Sequence, residues 1–111
     1  MSSRFGQAMR LMRSHNPQKR EDGFGLLRDH AADHLDELMS ELAREDDPGL
    51  RCWLLELIGE ARSPQAVPLL TANLYQGDEA LRSWAVSGLR LLGTPEARTI
   101  LYQARANGLI S

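Results

Sequence analysis

Apolar residues in this chain recur at steps of three and four. In the central stretch, Leu54, Leu57, Ile58 and Ala61 fall within about 80 degrees of Leu50 on a wheel of about 100 degrees per residue. Trp53 extends that stripe on one flank and Leu55 on the other, so the helix is apolar over more than half its circumference. That is the pattern of a helix with neighbours on both sides. The stripe returns as Leu81, Ala85 and Leu89, now flanked by Trp84 and Val86. Near the start, Phe5, Ala8, Met9 and Met12 are spaced for a helix over about 3–14. No sustained period-two alternation with β-branched residues competes, so no strand is predicted.

The recurrence has a period of 31 residues, and the frame holds at more than the tryptophans. Asn16-Pro17, Asp47-Pro48 and Asp78-Glu79 align, each an N-cap followed by a residue suited to a first helical turn. Arg20, Arg51 and Arg82 align, as do Leu27, Ile58 and Leu89, and Ser63-Pro64 with Thr94-Pro95. The frame predicts paired helices at about 17–30 and 33–45, 48–61 and 64–75, and 79–92 and 95–106. The units run over about 16–45, 47–75 and 78–106, inside a single domain covering 1–111. Gly23 and Gly25 strain the first helix of unit one, at up to about 1 kcal/mol each, and imply a loose unit or a close helix contact. Pro68 lies one turn into the second helix of unit two and removes a backbone hydrogen bond, a small loss so near the helix start.

The repeated residues Asp47-Pro48-Gly49-Leu50-Arg51, Leu54 to Gly59 and Ser63 to Leu70 resemble the HEAT repeats, in particular the short bacterial type grouped with phycobilisome-lyase repeats. Asp78 to Arg82, Ala85 to Leu89 and Gly93 to Ala97 carry the resemblance a second time, and residues 16–45 carry it more weakly. The resemblance implies an all-α fold: a small right-handed α-solenoid of three helical hairpins behind an N-terminal capping helix. It further implies that the second helices line a concave, partner-binding surface. Some relatives of this kind are enzymes. Deoxyhypusine hydroxylases carry paired His-Glu motifs, but here the histidines are followed by Asn16, Ala31 and Leu35. HEAT-like DNA glycosylases use a basic concave surface, whereas the helices here run acidic.

Charge is unevenly placed. Residues 1–20 hold five basic groups and no acid, while residues 21–47 hold ten acids and two arginines. The formal net charge of -2 hides that contrast. Asp33, Asp36, Glu37, Glu41 and Glu45 run along the second helix of unit one and point to a docking surface for a basic protein. The basic N-terminal segment offers a rival, nucleic-acid-binding reading. It also matches the composition of a mitochondrial transit peptide, and reads equally well as a capping helix. His30-x-x-Asp33-His34-x-x-Glu37 has the spacing of metal ligands, but it sits at a predicted helix break and reads as a polar surface; no metal or other cofactor is expected. No nucleophile elbow, phosphate loop or cysteine pair is present, and the single Cys52 fits a reducing cytoplasm. No apolar run reaches the roughly 18–20 residues that span a bilayer.

The resulting expectation is a non-enzymatic protein-binding module. Asp33, Asp36, Glu37 and Glu41 steer the partner, and Trp84 is an anchor whose next-unit neighbour is missing. Trp53 is expected to fill the seam towards the next unit. Arg51 and Arg82 are expected to bridge to the acidic caps Asp47 and Asp78, because a cation in a first helical turn opposes the helix dipole and needs compensation. Within that class, small bacterial HEAT-like proteins look like immunity proteins that neutralise a toxin, or like regulatory adaptors. A phycobilin-lyase-like accessory role, which requires an apolar pocket, is the remaining alternative.

Overall fold

The local signals are read out almost literally at the helix starts. Asn16, Asp47, Asp78 and Thr94 each turn a side-chain oxygen onto an N–H of the first turn that follows, at 2.9 to 3.2 Å. These bonds satisfy donors that no helix can satisfy internally. Pro17, Pro48 and Pro95 occupy the first helical position, where a missing N–H costs nothing. In the computed structural model, which describes residues 3–111, the chain forms seven α-helices and no strand among the described residues. They are α1 (Arg4–Met12), α2 (Pro17–Arg28), α3 (Leu35–Arg44), α4 (Pro48–Glu60), α5 (Val67–Gln76), α6 (Glu79–Leu92) and α7 (Pro95–Ala106). Gly93, with φ of 65°, ends α6 in the left-handed conformation that favours glycine.

Two second helices begin later than the spacing predicts. Ala31–His34 and Pro64–Ala66 form 3-10 turns, so α3 opens at Leu35 and α5 at Val67. The tighter turn puts Pro68 at the second helical position, where its N–H would have had no partner. The small loss expected at Pro68 is therefore absent.

The helices pack into an elongated stack of 46 × 24 × 21 Å. α2 lies mainly against α1, α3 against α4, and α6 against α4, α5 and α7. The helix α4 sits at the centre: Leu54, Leu55, Leu57 and Ile58 are all fully buried. Leu55 was expected on the flank of the stripe, and its burial shows that α4 is covered on that side too. Beyond α7, Leu109 and Ile110 pack half-buried against the core.

Close crossings depend on glycine. A Cβ on Gly23 would stand 2.6 Å from the Ala8 carbonyl oxygen, so the α1–α2 contact requires the missing side chain. Gly59 and Gly88 meet where α4 crosses α6, and a Cβ on Gly59 would stand 2.9 Å from the Gly88 Cα. Of the two glycines in α2, Gly23 is the close contact, and Gly25 is exposed with nothing within 4 Å of a would-be Cβ. Gly59→Ala should therefore lower stability by about 1–3 kcal/mol in urea unfolding, since backbone must move to admit the methyl. Gly25→Ala should raise it by up to about 1 kcal/mol, through helix propensity alone.

Candidate functional site

The repeated arginines do something other than meet the acidic caps. Asp47 and Asp78 are occupied with the N–H groups of Leu50 and Leu81, at 2.9 Å each. Arg51 reaches backwards instead, and its Nη1 donates to the carbonyls of Leu42 and Glu45 at 2.9 and 2.7 Å. Arg82 repeats the contact one unit later, from Nε to the Leu74 carbonyl at 3.1 Å and from Nη2 to that of Gly77 at 3.4 Å. Both guanidinium groups thus close the carbonyl end of the preceding helix, α3 or α5. A cation is favourable there, which offsets its unfavourable place in its own first turn. Arg20, third in the frame, is exposed and reaches no such carbonyl among the described residues.

The acidic stripe on α3 is divided by its partners. Glu45 is buried; its Oε1 accepts from Arg13 Nη2 at 2.6 Å and its Oε2 from the Asp47 N–H at 3.0 Å. The Asp47 N–H, more than the Arg13 charge, holds the Glu45 carboxyl below its ordinary range, against the opposing effect of burial. Glu41 is shared between Arg13 and Arg44, at 2.8 and 3.0 Å. Glu37 accepts from or pairs with His34 Nδ1 at 2.8 Å. Asp33 stands exposed 3.8 Å from His30, and Asp36 is exposed with no ion pair among the described residues. Only the outer end of the stripe is left for a partner. No group of three His, Cys, Asp or Glu among the described residues is placed to hold a metal ion.

The tryptophans pack in the reverse sense to the expectation. The Trp53 ring lies 5.1 Å from that of Phe24, tilted by 60°. In the 31-residue frame Phe24 corresponds to Leu55 and Val86. Each tryptophan therefore faces the unit before it rather than the unit after it. Trp84 is half-buried in a groove beside Glu56, Gly59 and Glu60 of α4, so its packing comes from the preceding unit and does not depend on a following one. A helical wheel gives the angle of a flank but not which neighbour stands there.

Trp84 and the acidic residues do not share a site. Asp36, Glu37 and Glu41 border a cleft that α3 makes with Phe5, Gly6 and Met9 of α1, while Trp84 lies in the α4–α6 groove. Sequence reasoning passed over Glu56 and Glu60, whose spacing of four residues puts them one above the other on α4. It also passed over Tyr75 and Tyr102, the chain's only two tyrosines, which are 46 % and 71 % exposed on α5 and α7. Cys52 is half-buried, and burial pushes its thiol up, with Asp78 adding to the effect and Arg51 opposing it. It is no activated nucleophile. Of the basic N-terminal segment, Arg13 is paired with Glu41 and Glu45, and Arg4 lines an open cleft together with Glu21, Asp22 and Asp29.

A family model described as HEAT repeats matches residues 35–108, about two thirds of the chain. No curated protein and no solved structure gives a match. No helix is long and apolar enough to cross a membrane among the described residues.

Two measurements test the turn network. Arg51→Met should lower stability by about 1–3 kcal/mol, since it strands partly buried carbonyls, and Arg20→Met should leave stability nearly unchanged. The Glu45 carboxyl lies lower in the folded chain than in the unfolded one. Its contribution is therefore complete above the ordinary glutamate range and is lost as pH falls through and below about 4. In urea unfolding across that range, Glu45→Gln should flatten the dependence. Arg13→Met should only soften it, because the Asp47 N–H remains.

Proposed function

The chain belongs to the HEAT repeat family, and from that premise we propose that it is a non-enzymatic module that captures a basic protein on the exposed, concave face of its second helices. Arrays of this family commonly present an extended surface to protein partners. One observation carries the reading: the exposed face of the second helices is acidic in the first unit and uncharged, with the exposed Tyr75, in the next. Residues 63–77 hold no charged side chain in a chain that is 25 % charged. Pro68, Ala72 and Tyr75 are all exposed along α5, and Tyr102 is exposed along α7. Tyrosine supplies large contact area at low entropic cost, and it is enriched at the energetic centres of interfaces. Asp36, left over from the ion pairs of α3, and the exposed Asp33, which meets only His30 at 3.8 Å, supply long-range attraction for a basic partner.

A small inhibitor that neutralises a basic toxin, as an immunity protein does, fits this chemistry. The nucleic-acid alternative loses support because Arg13 is committed to Glu41 and Glu45. The test is capture of basic proteins on the immobilised chain over a salt series. Asp33→Lys with Asp36→Lys should slow capture and reverse its salt dependence. Tyr75→Ala with Tyr102→Ala should shorten retention without altering the salt dependence. Capture unchanged in both double variants removes the second-helix face as the site.

A further inference from the structure

The first helices carry a second feature, on a different side of the stack. Because Gly59 and Gly88 bring α4 and α6 into backbone contact, the side chains on either side of the crossing stand apart. They leave an open groove of about 410 Å³. Trp84 and Leu91 line it from α6, and Glu56 and Glu60 line it from α4. Leu91 is 39 % exposed, one of few large apolar side chains left so open. Neither Glu56 nor Glu60 has a hydrogen bond or an ion pair among the described residues, although both are half-buried. Arg90 lines the rim, and Arg28 of α2 is the cation that acts on Glu56 from a distance; both are exposed, and neither forms an ion pair with these carboxylates. We propose that this groove docks an apolar segment of a partner protein through an arginine or lysine placed between Glu56 and Glu60 and against the Trp84 ring.

The argument for a cationic occupant is one of charge. Burial pushes the Glu56 carboxyl up, Arg28 opposes that, and Glu60 adds to it. A neutral or acidic segment lying in the groove would bury both carboxylates further with no counter-charge, at a cost that grows as water leaves. A guanidinium or ammonium reverses the sign of that effect. It gains two carboxylates one helical turn apart and the face of an indole, which attracts cations most strongly among the aromatic rings. Leu91 and the glycine floor then accept the apolar neighbours of that residue. The groove is formed by first helices, so it stands or falls separately from the second-helix face.

The experiment uses the whole chain, isotope-labelled, and a blocked Leu-Arg-Leu-Arg-Leu peptide, with a citrulline-for-arginine peptide as the neutral isostere. Addition of the arginine peptide should move the Trp84 indole N–H resonance and leave that of Trp53 in place. Glu56→Gln with Glu60→Gln should weaken binding about tenfold, which corresponds to ~1.4 kcal/mol. If that double variant loses its native spectrum, Leu91→Ser at an exposed position gives a second reading, and it too should weaken binding. Equal binding of the citrulline peptide, a stationary Trp84 resonance, or undiminished affinity in the folded variants overturns the proposal. So does a Trp84 shift that follows protein concentration without peptide and coincides with dimers in sedimentation, because the groove is then a contact between two copies.

Discussion

A guanidinium from the first turn of one helix lies on the open carbonyls at the end of the helix before it, and the stack depends on that contact. Arg51 joins α4 to α3, and Arg82 joins α6 to α5. Each bond satisfies acceptors that a helix end leaves open, and each sets the distance and register between consecutive units. The turn around Glu45 shows how far the arrangement extends. Glu45 gives its carbonyl to Arg51, one carboxylate oxygen to Arg13 and the other to the Asp47 N–H, while Asp47 caps α4. One short turn therefore couples α1, α3 and α4.

Features determined by near neighbours in the chain were legible from the residues alone. Caps, first-turn prolines and the 31-residue frame act within one helical turn, so the helix starts at Pro17, Pro48, Glu79 and Pro95 follow from them. Features that depend on a distant partner were not legible. Gly23 and Gly25 are alike in sequence, and only the position of α1 makes one essential and the other a cost. Arg13 and Glu45 are 32 residues apart, a separation that no helical or strand period singles out. The frame identified Trp53 and Trp84 as equivalent, but a period has no direction, so it could not say that they face the preceding unit.

The candidate site was read less well than the fold, for a related reason. Counting acids along α3 treats each as free, whereas folding commits Glu45 and Glu41 to Arg13, and Glu37 to His34. The relevant quantity is the charge that remains after the structure has drawn on it. Conversely, Glu56 and Glu60 looked like ordinary polar positions on the face opposite the stripe. They became distinctive only when the Gly59–Gly88 crossing brought α6 beside them with no ion pair to either carboxylate.

Structural and binding chemistry are thus separated along each unit. The turns use arginine and aspartate to close helix ends. Asp36 in the first turn of α3 and Glu56 in the body of α4 form no ion pair among the described residues. In a stack held at its turns, substitution in mid-helix alters the surface without loosening the joints. A repeated scaffold can therefore keep Arg51 and Arg82 in every unit's equivalent place and vary what lies between them. Here that variation produces an acidic α3, an uncharged tyrosine-bearing α5 and an α4 with two unpaired carboxylates beside an indole. The three surfaces differ in chemistry while the joints that carry them are the same.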